Sequence, residues 1–77
     1  MIIKIKYLGQ IAEVTQVQEE KLETSAHDIS GLIEYLNSKY PNLKNKDFKV
    51  AQNQELVSYK TVITGQEIAL LPPFSGG

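Results

Sequence analysis

The start of the chain alternates between apolar and polar side chains. The apolar set comprises Ile3, Ile5 and Tyr7. Lys4 and Lys6 lie between them, so an extended chain places these two on the opposite side. A period of two residues is typical of a half-buried strand. We therefore predict a first strand over residues 2–8, in which Leu8 falls on the lysine side and is exposed.

Residues 10–23 carry a mixed pattern. Ile11, Val14 and Val17 are spaced as on a helical turn, whereas residues 15–23 resemble a polar edge strand. We predict a short turn over residues 10–14 and a second strand over residues 17–22.

A helical stripe follows, in which apolar residues recur every three or four positions. Its members are Ile29, Leu32, Ile33, Leu36 and Tyr40. Asp28 is a suitable N-cap, because its carboxylate can accept from the backbone N–H groups of the first turn. Pro41 disfavours helical backbone at the residue before it, so the helix ends at Tyr40. Gly31 weakens the first turn and favours a late start.

The second half of the chain predicts a loop and three strands. Residues 41–47 are rich in turn formers, and residues 48–59 read as two short strands about Asn53 and Gln54. Asparagine tolerates the positive φ of tight hairpin turns. After a turn at Gly65 we predict a last strand over residues 67–71, which Pro72 and Pro73 end because proline cannot donate to a ladder.

This order of elements, two strands, a helix and three strands, predicts an α+β fold with one main helix across a mixed sheet of four or five strands. A chain of 77 residues encloses a single core. We therefore predict one domain over residues 1–77, with residues 72–77 as an extended functional tail.

Three leucines fall on the sheet face that the helix does not cover, if this alternation holds. They are Leu8, Leu56 and Leu71. Single exposed leucines are ordinary, but three on adjacent strands form an apolar patch. We predict that this patch is a docking surface.

Composition excludes several function classes. The formal net charge is −1, so no summed positive field favours nucleic acid. Cysteine is absent, which removes disulfides and thiolate metal sites. No stretch is long and apolar enough to span a membrane, so we expect a cytoplasmic protein without membrane or nucleic-acid partners.

Conventional catalytic groups are nearly absent as well. We interpret His27 as solvent-exposed and the acidic residues Glu19, Glu20 and Glu23 as a solvated edge. The sequence contains no glycine-rich phosphate loop and no spacing typical of metal ligands. We therefore expect no metal site, no intrinsically bound cofactor and no catalysis by the chain alone.

The sequence ends in Leu-Leu-Pro-Pro-Phe-Ser-Gly-Gly, a combination that predicts insertion into a partner. Two prolines give a stiff extended lead. Phe74 is a candidate apolar anchor, and Gly76 and Gly77 have no side chain to block a narrow channel. A terminal carboxylate becomes reactive once it is activated as an acyl-adenylate. We have no role for Ser75.

Three motifs together carry a family resemblance: Asn-Gln-Glu-Leu-Val-Ser at residues 53–58, Thr-Gly-Gln-Glu-Ile-Ala-Leu-Leu-Pro-Pro at residues 64–73, and the closing Ser-Gly-Gly. In this order they resemble the small, sulfur-carrying subunits of molybdopterin synthase, in the ThiS/MoaD superfamily of ubiquitin-like β-grasp proteins. The chain departs from these subunits in having leucines where phenylalanines are common, and Phe74 where a smaller residue is common.

The resemblance implies a mechanism and its partners. An activating enzyme of the ubiquitin-activating type would use ATP to adenylate Gly77, next to Gly76, and convert it to a thiocarboxylate. The tail would then enter the large synthase subunit, in a heterotetramer, and donate sulfur to cyclic pyranopterin monophosphate. The family's contact patch falls on Leu8, Leu56 and Leu71, and we add Pro72, Pro73 and Phe74 to the expected partner-binding residues.

Three alternatives stay open from the sequence. One is the related sulfur carrier of thiamine biosynthesis, which shares the β-grasp and the terminal Gly-Gly but typically lacks the paired prolines. Another is a ubiquitin-like modifier conjugated to target lysines through Gly77. The third is a plain interaction module whose tail merely docks.

Overall fold

The structure, a computed structural model, describes residues 1–73. The predicted tail residues Phe74, Gly76 and Gly77 lie outside this range. The strands are β1 (Ile2–Tyr7), β2 (Glu19–Glu23), β3 (Lys49–Gln52), β4 (Glu55–Leu56) and β5 (Ile68–Leu71). The helices are α1 (Gln10–Thr15), α2 (Ile29–Lys39) and a 3₁₀ helix (Pro41–Asn45).

The strands form one mixed sheet in the order β2-β1-β5-β3-β4. β1 pairs antiparallel with β2 and parallel with β5, and β3 pairs antiparallel with both β5 and β4. The parallel pair matters most for function, because it brings the first strand beside the strand from which the tail continues. The predicted order of five strands about one main helix is confirmed.

Helix α2 covers one face of this sheet and closes the core. Ile29, Leu32 and Leu36 are fully buried, as the helical stripe predicts. The helix begins directly after Asp28, whose Oδ1 accepts a hydrogen bond from the Gly31 backbone N–H at 2.9 Å. The N-cap prediction is therefore confirmed, and the helix does not start late.

Residues 10–18 differ from the prediction. The expected turn over residues 10–14 is the short helix α1, which buries Ile11 and Thr15. Gln16 then adopts left-handed backbone, with φ 64°, and its N–H closes the helix on the Ala12 carbonyl. This cap and the turn that follows occupy residues 16–18, so β2 begins at residue 19 and not at residue 17. Val17 is exposed.

The connection after α2 is also more ordered than predicted. Residues 41–45 form the 3₁₀ helix, which begins with Pro41 and buries Leu43 completely. The apolar Leu43 packs this segment against the core. The sequence does not predict this contact, because the residues on either side of Leu43 are typical of turns. The helix contacts both α1 and α2.

The β3–β4 hairpin turns where the sequence predicts. Asn53 and Gln54 both have positive φ, 54° and 67°, as in the tight turns that suit the twist of a hairpin. The last strand begins one residue later than expected, at Ile68. In β5, Ile68 and Leu70 face the core, whereas Ala69 and Leu71 are half-buried on the opposite face.

Candidate functional site

The outer face of the sheet carries the three leucines that the sequence singles out. The parallel register pairs Tyr7 with Leu70, so it places Leu8 beside Leu71. Leu8 is 41% exposed and Leu56 is 62% exposed, whereas Leu71 is half-buried. All three lie on the face opposite α2, as the alternation predicts. Their binding role stays a prediction.

Two alanines connect the leucines across the sheet. Ala51 pairs with Leu56 on one side and with Ala69 on the other. Leu71 follows two residues after Ala69 and therefore points to the same face. We call these residues, with Leu8, the leucine face. It is one apolar strip that runs from Leu8, directly after β1, across β5 and β3 to β4, because small side chains bridge the gap between Leu56 and Leu71.

Lysines border the leucine face. Lys6 forms an ion pair with Glu67 at 3.7 Å, and Lys4 forms one with Glu19 at 3.2 Å. Lys49 pairs directly with Leu71 in the ladder. Exposed ion pairs contribute little to stability, so these charges mainly surround the apolar strip with a polar rim.

The first two residues of the tail, Pro72 and Pro73, continue directly from the leucine face, and we call them the tail root. Leu71 ends β5, and Pro72 and Pro73 follow it, both half-buried. Pro72 packs beside Gly9, and both prolines line a cleft of about 160 Å³ next to the 3₁₀ helix. The predicted partner-binding residues up to Pro73 thus form a continuous surface, and Phe74, Gly76 and Gly77 lie outside the described residues.

Glu20 lies on the core side of β2, at the centre of a polar cluster, and its predicted place in a solvated edge is wrong. The cluster joins Glu20 to Tyr7, Tyr40 and Lys39. Both tyrosine hydroxyls donate to Glu20 Oε2 at 2.6 Å, and Lys39 Nζ donates to Oε1 at 2.7 Å. Glu20 is therefore not part of a solvated edge, whereas Glu19 and Glu23 are exposed. The cluster ties the end of α2 to β1 and β2.

These bonds change the titration of the cluster. Burial alone would raise the pKa of Glu20, but the hydrogen bonds from Lys39, Tyr40 and Tyr7 outweigh it and hold that pKa below its usual value. Burial and the bond to Glu20 raise the pKa of Tyr7 far above that of a free tyrosine. Glu20 is therefore ionised and both phenols are neutral near neutral pH.

We predict that Glu20→Gln destabilises the domain by about 1–3 kcal/mol at neutral pH, because a neutral amide replaces a carboxylate that accepts three hydrogen bonds. Because the pKa of Glu20 is lower in the folded state than in the unfolded state, its ionised carboxylate stabilises the fold fully at a pH above the unfolded-state pKa. This stabilisation is lost as the pH falls through the folded-state pKa. Urea unfolding should therefore show the difference shrinking in acid. Glu19→Gln, on the exposed face of the same strand, is the control, and equal losses for both would contradict the role of the cluster.

The comparisons with known proteins bear on this arrangement of strands and tail root. A sequence model of the ThiS family matches residues 5–77, nearly the whole chain. The chain belongs to the ThiS family. The resemblance found in the sequence is thereby confirmed at the level of the superfamily.

One curated relative of this ThiS-family chain covers almost its full length. It is the molybdopterin synthase sulfur carrier subunit of Mycobacterium tuberculosis, 29% identical over 97% of this chain and 96% of the relative. A structural neighbour with 25% identity comes from a complex of subunits 1 and 2 of the molybdopterin-converting factor of Helicobacter pylori. It has a TM-score of 0.71 and covers 100% of both chains.

A second solved structure also has the fold of the ThiS-family chain, but it is not named as a subunit of molybdopterin synthase. It is the small archaeal modifier protein 1 of Haloferax volcanii, with a TM-score of 0.81, 21% identity and 100% of both chains covered. At this identity the likeness shows the fold alone. The ubiquitin-like β-grasp predicted from the resemblance is confirmed.

Elsewhere in residues 1–73, the ThiS-family chain offers little other chemistry. His27 is exposed, as the sequence predicts. In residues 1–73 no three His, Asp or Glu side chains come together in a group that could hold a metal ion. Within the same range, every helix is too short or too polar to cross a membrane. The leucine face and the tail root are the features that point to function.

Proposed function

We propose that the chain is the sulfur-carrying subunit of a molybdopterin synthase. The observation that carries this proposal is the continuity of the leucine face with the tail root: Leu71 belongs to the apolar strip and Pro72 follows it directly. A partner that covers the strip thereby receives the chain's last residues. The relative from M. tuberculosis and the H. pylori complex support the choice of pathway.

The proposed chemistry takes place at the Gly77 carboxylate. One carboxylate oxygen attacks the α-phosphorus of ATP on the activating enzyme, and pyrophosphate leaves. A sulfide equivalent then displaces AMP from the acyl carbon and leaves a thiocarboxylate. In the large subunit this sulfur replaces an oxygen substituent on a side-chain carbon of the pterin, and water then cleaves the acyl–sulfur bond and restores the carboxylate. Two such transfers supply the two sulfurs of the dithiolene.

The protein contributes binding and delivery to this chemistry. The leucine face supplies apolar area for docking, and burial of such area is the main driving force of association. Gly76 and Gly77 would let the backbone enter a channel that side chains could not pass. We assign no ATP-binding or pterin-binding group to this chain, and we place the reaction in the cytoplasm, where ATP is available.

Reconstitution tests the choice of pathway. The thiocarboxylated chain is mixed with a molybdopterin synthase large subunit and cyclic pyranopterin monophosphate, and dithiolene product is measured. The parallel assay replaces these with the thiazole-forming enzyme of thiamine biosynthesis. We expect product only in the first assay, and product only in the second would reassign the chain to the thiamine pathway.

A ubiquitin-like modifier is the second candidate, because the fold that the chain shares with the archaeal modifier protein leaves this alternative open. It would use the same adenylated Gly77 but transfer the acyl group to a lysine amine, with AMP as the leaving group. Incubation with activating enzyme, ATP and a cell extract separates the two functions. Covalent ladders that contain this chain would support modification, and their absence alongside thiocarboxylate formation supports the carrier.

A further inference from the structure

Gly9 lies where the tail root meets the body of the domain. It joins β1 to α1 and has φ 56° and ψ −132°, a backbone conformation that is readily adopted only by glycine. A Cβ atom at this position would lie 3.0 Å from Pro72 Cγ and 3.8 Å from Pro72 Cδ. The bare Gly9 backbone therefore forms the surface on which the Pro72 ring packs.

The opposite side of the tail root is also bounded. Both prolines line the cleft of about 160 Å³ whose other wall includes Gln10, Asn45 and Lys46. Just before the root, the Leu8 N–H donates to the Leu70 carbonyl at 3.1 Å, and Leu71 pairs with Lys49 of β3. The root is thus held between the β1–α1 connection and the 3₁₀ helix.

We propose that Gly9 is a positioning residue, which sets the direction in which the tail leaves the leucine face through its contact with Pro72. The inference rests on the proposed carrier function. Consecutive prolines are stiff, so a displacement of Pro72 also moves Pro73 and changes the point and direction from which the remaining residues start. The residues after Pro72 span at most about 17 Å, and a misplacement of about 1 Å at a reacting group can lower a rate about 100-fold.

Gly9→Ala tests this role, with Gly65→Ala as the matched control. Both glycines have positive φ, 56° and 91°, so both substitutions strain the backbone. A Cβ at Gly65 would be 3.9 Å from Met1 Sδ, at the end of the sheet away from the tail root, whereas a Cβ at Gly9 reaches Pro72. The pair therefore separates backbone strain from displacement of the tail.

The assay is ATP–pyrophosphate exchange by the activating enzyme with the full chain, because this step comes before the functions of carrier and modifier diverge. We expect Gly9→Ala to lower kcat about tenfold or more with KM changed less than about twofold, since docking by the leucine face is intact. Gly65→Ala should change both by less than about twofold. Melting curves verify that each variant is folded at the assay temperature.

A double-mutant cycle tests the contact itself. Pro72→Ala removes the ring that an alanine at position 9 would meet, so Gly9→Ala should lower kcat much less in that background. Equal losses in both backgrounds, or equal kcat for the Gly9 and Gly65 variants, would overturn the positioning role, while a wild-type rate would still support adenylation of the chain, the step on which the proposed function rests. A wild-type chain that no activating enzyme adenylates would overturn the proposed function and this inference together.

Discussion

Deletion of Gly77 should abolish sulfur transfer and leave the folded domain intact. The shortened chain ends at Gly76, so its carboxylate falls about 3.5 Å short of the activating site. A misplacement of this size exceeds the tolerance of in-line chemistry, and we expect a loss of more than about 1000-fold. The buried apolar core runs from Ile3 to Leu70, so the free energy of unfolding should change by less than about 0.5 kcal/mol.

Two measurements check this result. Thiocarboxylate formation is followed with purified activating enzyme, and stability is followed by urea unfolding. Ser75→Ala is the control within the tail and should keep its rate within about twofold, because we assign no role to that side chain. Wild-type levels of thiocarboxylate formation by the deletion variant would show that Gly77 is not the reactive residue.

Leu71→Glu should have the second largest effect, on docking. Leu71 lies at the centre of the leucine face, between Leu8 and the alanine bridge to Leu56. Loss of a central apolar contact typically costs 2 kcal/mol or more, and the buried charge adds to it, so we expect affinity for the large subunit to fall about 30-fold or more. Titration calorimetry measures this affinity.

Ile2→Glu is the control for this substitution. Ile2 is 66% exposed on the same outer face, but it lies at the other end of β1. The same charge is thereby added outside the leucine face, and affinity should stay within about twofold. If Leu71→Glu binds the large subunit as tightly as the wild type, the leucine face is not the docking surface.

Periodicity was sufficient to predict much of this fold. The two-residue alternation predicts Ile3 and Ile5 in the core and Leu8 outside it, and the helical stripe predicts Ile29 and Leu36 on the buried face of α2, where the structure has them. These predictions succeed because an element that buries one face needs apolar residues at its own period along the sequence, two residues for a strand and 3.6 for a helix. The exposure of Leu56 followed in the same way from the hairpin turn.

Other features depend on contacts that no local pattern encodes. Helix α1 ends because Gln16 adopts left-handed backbone. Glutamine rarely does so, and its presence in the sequence therefore does not predict the end of a helix. Glu20 meets Tyr40 only after α2 has packed on the sheet, across 20 positions of sequence. The contact between Gly9 and Pro72 likewise requires β1 and β5 to be neighbours.

The candidate site also combines residues that a local sequence pattern identifies with residues that only the tertiary structure brings together. The leucines and the tail motif could be identified from the sequence, whereas the alanine bridge that joins Leu56 to Leu71 depends on the strand order. Ala51 and Ala69 are unremarkable until the pairing of β3 with β4 and β5 aligns them. A residue's place in a surface is set by its neighbours on other strands, and those are fixed only by the complete sheet.

The most direct test of the carrier function is the intact mass of the chain after incubation with an activating enzyme, ATP and a sulfur donor. Replacement of one carboxylate oxygen by sulfur should add about 16 Da, and fragmentation should assign the gain to Gly77. The gain should require ATP and disappear when Gly77 is deleted. An unchanged mass with each cognate activating enzyme, or a gain at any other residue, would contradict the carrier function.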